Sequence, residues 1–335
     1  MNKFTQNIRK VKVLGYPFAG GQPRGGVELT PGWLRSQSWF KTLTSTSNAH
    51  VVYEEINVSS PHCNSKHPDN KKFTGDILEA KNIDNVMASS EALRNQTYNA
   101  IKDGFFPVVL GGDHSQAIGS VAGMKKMFPE GKILWVDAHI DANTPTTSPS
   151  RNAHGMPLAY LSGIVPLYQH WNCVNMAQDV CYFGIRSYEE GEINLLREKN
   201  TLVFPSEECK PGSMDQINAD INQYFNHQAG KTKYWVSFDI DGVDSAEFKS
   251  TGTDEGNGIT IAFMEKLFER FLPKSVGMDF TEVNFELTQG SVREKDEQTF
   301  REMFEFIVHA VNQPLHEEDL THMSTIHTKT RLNNL

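Results

Sequence analysis

The chain has 335 residues, 38% hydrophobic and 22% charged, with 32 Lys and Arg against 41 Asp and Glu for a net charge of −9. This is a globular composition with apolar material for a core, and its acidic balance argues against nucleic acid or an anionic membrane as the main partner. No apolar run approaches the roughly 20 residues of a membrane helix, residues 1–6 lack the apolar core of a signal peptide, and four dispersed cysteines without a C-x-x-C indicate a reducing, cytoplasmic setting.

The predicted elements alternate along the chain. Strands at residues 11–16 and 51–56 come first, then a polar stretch at 59–74, with Pro61 and Pro68, that reads as a surface loop. His62, Cys63 and His67 in that loop imitate a zinc site but lack a fourth partner, so no metal is assigned to them. A helix over 86–103 carries Val86, Leu93 and Ala100 at a spacing of seven, and a strand at 105–110 follows. The helix over 115–128 opens on Ser115, a candidate cap. Strands at 133–137 and 180–185, a helix over 188–199, and strands at 202–204 and 234–241 continue the order. A helix over 264–271 and a strand at 276–280 precede the last helix, 297–311, where Phe300, Phe304, Ile307 and Val311 share one face. A polar tail begins at about residue 314.

Several of these strands are apolar almost throughout, as strands buried on both faces of a parallel sheet are. No Pro/Gly/Ser-rich linker divides the chain. The alternation therefore predicts an α/β fold: a single three-layer domain over residues 1–335, with a mostly parallel central sheet of about eight strands flanked by helices. In such sheets ligands gather beyond the carboxyl ends of the strands.

Three predicted strands end in Asp and His. Gly111-Gly112-Asp113-His114-Ser115 follows one, Asp137-Ala138-His139-Ile140-Asp141 the second, and Asp239-Ile240-Asp241 the third. Alone, each motif reads as a turn or a helix cap. Together they would bury several carboxylates close to one another, which is costly unless cations neutralise them. Residues i and i+2 of an extended strand point the same way, so Asp137 with His139, and Asp239 with Asp241, can each reach one site. Asp141 joins them if the chain curls. The candidate ligands are His114, Asp137, His139, Asp141, Asp239 and Asp241. A thiolate-free, oxygen-rich set suits Mn²⁺ better than structural zinc, and paired ions activate water, so the residues predict a binuclear metal hydrolase. Gly20-Gly21 and Gly25-Gly26 fit no nucleotide motif.

The same motifs resemble those of the ureohydrolase superfamily, and the arginase family most closely. The loop Gly21-Gln22-Pro23-Arg24-Gly25-Gly26-Val27-Glu28 is similar to the arginase glycine loop. The run from Asp137 to Gly155, with Asn143-Thr144-Pro145, Ser150, Asn152 and His154, is similar throughout, as is Met278-Asp279-Phe280-Thr281-Glu282-Val283-Asn284. The resemblance spans about residues 11–311.

It implies two Mn²⁺ ions per chain, bridged by Asp137 and Asp239. His114 and Asp141 would complete one shell, His139 and Asp241 the other. It implies attack of a metal-bound hydroxide, held also by Asp141, on the guanidinium carbon of L-arginine, giving L-ornithine and urea. His154 would shuttle protons and Glu282 would pair with the guanidinium, with Thr253 near that end. Asn143, Ser148 and Ser150 would hold the α-carboxylate, which agmatine lacks; Glu189 and Glu192 would face the α-amino group. A homo-oligomer, trimer or hexamer, is implied as well.

The sequence also departs from the family pattern. Glu189 stands where arginases have Asp, and Ser187 replaces a second acidic residue. Ser245 stands for a Pro, and Asp254 and Asn257 for a Pro and a Gly. The rival readings are another ureohydrolase, such as an agmatinase or guanidinobutyrase, and a non-catalytic metal-binding regulatory homologue.

Overall fold

A computed structural model describes residues 8–45, 50–58, 73–74, 77–228 and 231–315. The strands are β1 (Lys10–Gly15), β2 (Val51–Glu55), β3 (Phe73–Thr74), β4 (Ile77–Leu78), β5 (Phe105–Leu110), β6 (Lys132–Val136), β7 (Val180–Ile185), β8 (Leu202–Pro205), β9 (Tyr234–Asp239) and β10 (Ser275–Thr281). The helices are α1 (Thr30–Ser36), α2 (Ser38–Ser45), α3 (Ile83–Lys102), α4 (Gln116–Met127), α5 (Pro157–Leu161), α6 (Met176–Asp179), α7 (Glu190–Lys199), α8 (Met214–Tyr224), α9 (Ile261–Phe271) and α10 (Gly290–Ala310).

Eight strands form one sheet in the order β2-β1-β5-β10-β9-β6-β7-β8, and every pairing in it is parallel. Side chains alternate across it. Val108, Leu134, Val136 and Phe238 enter a core shared with α1, α2, α8, α9 and α10 through Leu34, Phe40, Ile217, Phe263 and Phe304. Val109, Ile133, Trp135 and Trp235 enter the opposite core with α3, α4, α5 and α7 through Leu93, Ile118, Leu158 and Leu196. Both faces are therefore covered, as an all-parallel sheet requires. The three-layer α/β architecture and all eight predicted strands are present.

Several details differ from the sequence reading. The strand predicted to run to Asp241 stops at Asp239, and Ile240–Gly242 is a 3-10 turn, because Asp239 Oδ1 accepts the Asp241 N–H at 2.9 Å. Likewise β6 stops at Val136, and Asp137 Oδ1 accepts the His139 N–H at 2.7 Å. The Asp side chains offer the backbone a local turn in place of the ladder. Ser115 makes no side-chain cap on α4; its hydroxyl donates to Asp113 instead. The surface-loop reading of 59–74 lies outside the described residues for 59–72, including His62, Cys63 and His67, while Phe73–Thr74 pairs antiparallel with Ile77–Leu78. Most of the polar tail, from 316, also lies outside. Among the described residues no helix is long and apolar enough to cross a membrane.

Candidate metal centre

The four central strands, β5, β10, β9 and β6, deliver the predicted ligands and Glu282 to one end of the sheet. After β5 the chain turns through Gly111 and Gly112, at φ +91° and +85°. Any side chain at Gly112 would place Cβ 2.7 Å from the Phe18 carbonyl, so the turn requires glycine. Asp113, fully buried, ties this turn to the glycine loop: its carboxylate accepts the Gly21 N–H at 2.8 Å and the Ser115 N–H at 3.0 Å. After β6, Asp141 takes φ +55°, the curl that brings it to the cluster.

His114 Nδ1 lies 3.0 Å from Asp137 Oδ2, 3.0 Å from Asp141 Oδ2 and 3.2 Å from Asp239 Oδ2. None of these contacts has hydrogen-bond geometry, and Nδ1 is buried without a partner. The other face of the ring places a proton on Nε2. Ser237 Oγ donates to Asp279 Oδ1 at 2.6 Å, because a carboxylate can only accept. Ser237 Oγ must then accept from His114 Nε2–H, 3.0 Å away. Burial opposes charge on His114, but Asp137, Asp141 and Asp239 outweigh it and hold the ring well above its usual pKa, so Nδ1 keeps a proton among three carboxylate oxygens, at a place where a cation could take the proton's position.

Asp137 joins two groups. Oδ2 receives the Trp135 Nε1–H at 2.9 Å and faces His114; Oδ1 faces His139 Nδ1 at 3.5 Å. His139 Nδ1 lies 3.1 Å from Asp241 Oδ2. Two clusters of metal-ligating atoms result, His114–Asp137–Asp141 and Asp137–His139–Asp241, each with its atoms within 4.8 Å of one another. Asp239 meets the first through His114 and belongs to neither trio. Burial, with the charges of Asp241 and Asp137, pushes the Asp239 carboxyl well above its usual range, and burial with Asp137 lifts Asp141 to about 6. Four crowded carboxylates resist full ionisation alone; two divalent cations would relieve them. The donor set fits a pair of oxygen-seeking ions.

Glu282 is buried beside the first cluster, at φ +62°. Oε1 accepts the His114 N–H at 3.0 Å and contacts His154 Nδ1 at 3.3 Å; Oε2 accepts from Gln22 at 2.8 Å. Burial opposes charge on His154, but the carboxylates of Glu282, Asp113 and Asp141 outweigh it and raise the ring to about 9. Thr253 Oγ1 donates to Asp241 Oδ2 at 2.5 Å, so it sits on the second cluster.

Asn143 is buried; its amide donates to Glu189 Oε2 at 2.8 Å and accepts from Thr147 at 3.0 Å. Glu192 is buried and accepts the N–H groups of Ala142, at 3.0 Å, and Glu189, at 3.1 Å. Burial raises Glu192 to about 9, so it carries a proton at neutral pH, and the exposed Glu189 carries the charge. Ser148 and Ser150 face each other at 3.3 Å and receive the Arg151 and Asn152 N–H groups, so both shape the loop.

A sequence model of the arginase family matches residues 9–311. The chain belongs to the arginase family. It is 30% identical over 294 residues to arginase-1 of Rattus norvegicus, covering 82% of this chain and 85% of that protein. Against the arginase of Bacillus subtilis the figures are 32% over 288 residues, with 82% and 90% covered. Among solved structures, the Entamoeba histolytica arginase in complex with L-ornithine superposes with a TM-score of 0.73 at 27% identity, covering 88% of this chain and 98% of that one. The Bacillus subtilis arginase gives 0.73 at 28%, covering 90% and 98%.

Sequence reasoning within the arginase-family motifs missed Trp135, Ser237, Asp279, Gln22 and Asp113. Trp135 and Ser237 were findable, since each stands two residues before a predicted ligand on the same strand face. Gln22 and Asp279 meet their partners only through tertiary contact.

Proposed function

We propose that the protein is a Mn²⁺-dependent arginase that hydrolyses L-arginine to L-ornithine and urea. One juxtaposition carries the reading. A cluster that calls for cations, around His114 Nδ1, lies one hydrogen bond from Glu282, a buried carboxylate complementary to a guanidinium. His114, Asp137, Asp141 and Asp239 would hold one ion, and Asp137, His139, Asp239 and Asp241 the other. When bound, such ions lower the pKa of a water and orient it for attack. Glu282 pairs with the substrate guanidinium and fixes its carbon over the cluster. His154, held at Nδ1 by Glu282, keeps Nε2 to carry a proton to the leaving amine. Thr253 steadies Asp241. Asn143, Ser148 and Ser150 receive the α-carboxylate; the α-amino group meets Glu189, with Glu192 protonated behind it.

A second reading draws on one contact. The Asn143 amide N–H already donates to Glu189, which occupies a donor that an α-carboxylate would use. That favours a guanidino substrate without the carboxylate, such as agmatine. Urea release from L-arginine and from agmatine, after identical Mn²⁺ loading, separates the two. The arginase reading requires L-arginine to be the better substrate; urea from agmatine alone would overturn it. We assign the whole chain to one catalytic domain acting in the cytoplasm as a homo-oligomer, trimer or hexamer, with no nucleic acid or membrane partner.

A further inference from the structure

Arg186 stands outside the ligand set, just past the end of β7, and is half-buried. Its guanidinium meets a backbone carbonyl with each of its five N–H groups. Nη2 donates to Asp241 O at 2.6 Å and Glu255 O at 2.8 Å, Nε to Gly256 O at 2.9 Å, and Nη1 to Gly184 O at 3.1 Å and Gly242 O at 3.2 Å. A fixed planar fork, fully used on carbonyls, is a rigid brace. The backbone of this residue and the next reaches the other motif: Arg186 N and Ser187 N donate to Ala138 O at 2.9 and 3.0 Å.

Ala138 lies between Asp137 and His139. The side chain therefore grips the main chain at Asp241 and Gly242, while backbone N–H groups, which any side chain at 186 would leave in place, hold the Asp137–His139 segment. It also holds Glu255 and Gly256, in the loop that carries Thr253 onto Asp241 Oδ2. His114 and Asp141, the remaining members of the first cluster, receive nothing from it.

We propose that Arg186 is a positioning residue whose side chain pre-arranges Asp241, a ligand that belongs to the second cluster alone, before any ion binds. The proposal rests on the two-ion reading of the site. Lys at this position keeps the charge but offers three N–H groups from one point, so it cannot span carbonyls on three segments.

The test titrates Mn²⁺ alone into metal-free wild type and Arg186→Lys, with the free ion followed by electron paramagnetic resonance and the melting temperature measured alongside. Wild type takes up two ions. In Arg186→Lys one of them binds about 10- to 100-fold more weakly, the loss usual for an outer partner of a ligand, and the other is unchanged. Equal affinities in both proteins, or equal weakening of both ions, overturns the proposal. Wild type that binds no Mn²⁺ overturns the two-ion reading itself.

A second measurement needs no variant. The Asp244 and Ile259 N–H groups bond to Ile259 O and Gly242 O at 2.9 and 3.0 Å. In metal-free wild type these amides exchange slowly with solvent, and adding Mn²⁺ changes them little. Fast exchange that slows only when Mn²⁺ is added overturns the proposal.

Discussion

His154 touches Glu282 and no member of the metal clusters within hydrogen-bond distance, so proton transfer and metal binding separate at this residue. His154→Ala should lower urea release by about 10²- to 10⁴-fold, the span of a general acid–base group, with metal content unchanged. Loss of Mn²⁺ in that variant would reassign the residue. Asp137→Ala should behave differently, because its two oxygens face both clusters: metal analysis should find both ions lost with the activity. The clustering of the candidate ligands was legible because Asp and His crowd three strand ends. Their supports were not. Ser237 earns its place only through Asp279 on the neighbouring strand, and Gln22 only through Glu282, far along the chain. One departure has a local reason: Asn257 lies at φ +58°, a region Asn tolerates better than other residues with a side chain, so it replaces glycine there.

At the scale of elements, most long periodic segments were legible and the shortest ones were not. The face of α10 read from Phe300, Phe304 and Ile307 is buried, as is the Val86–Leu93–Ala100 row of α3. Two of the missed helices are brief, α5 with five residues and α6 with four, but α8 is eleven residues long and buries Met214, Ile217 and Ile221 at i, i+3 and i+7, a period the sequence carried and the reading passed over. The strand ends erred by up to two residues because Asp137 and Asp239 close turns with their own side chains, a competition hidden in an apolar-run argument. What sets α3 against α4 is also tertiary. A Cβ on Gly119 would come 2.6 Å from Ser90 O, and one on Gly123 2.7 Å from Arg94 O. Gly123→Val should destabilise the protein by about 1–3 kcal/mol, the usual cost of overpacking. Chemical denaturation would measure it, and an unchanged midpoint would contradict this close approach.

Over the whole molecule, the acidic excess divides into working and structural parts. Four carboxylates crowd the candidate metal centre. Asp179 instead neutralises the buried Lys125, at 2.7 Å, and Lys132, at 2.9 Å, near the opposite ends of the strands. Burial raises its carboxyl, but the two lysines outweigh burial and hold it below the usual value. A depressed carboxyl contributes stability above its unfolded value, about 3.9, and loses it as pH falls through the folded value. Asp179→Asn should therefore cost about 3–5 kcal/mol at neutral pH, by stranding a buried lysine. The gap between variant and wild type should narrow below about pH 4. A gap independent of pH would contradict the pairing.

The most direct test of the central claim follows urea release from L-arginine while Mn²⁺ is added stepwise to metal-free protein. The account predicts little urea without metal and activity that rises until two ions are bound per chain. No urea at any loading between neutral pH and the alkaline range, or urea release indifferent to Mn²⁺, would contradict it.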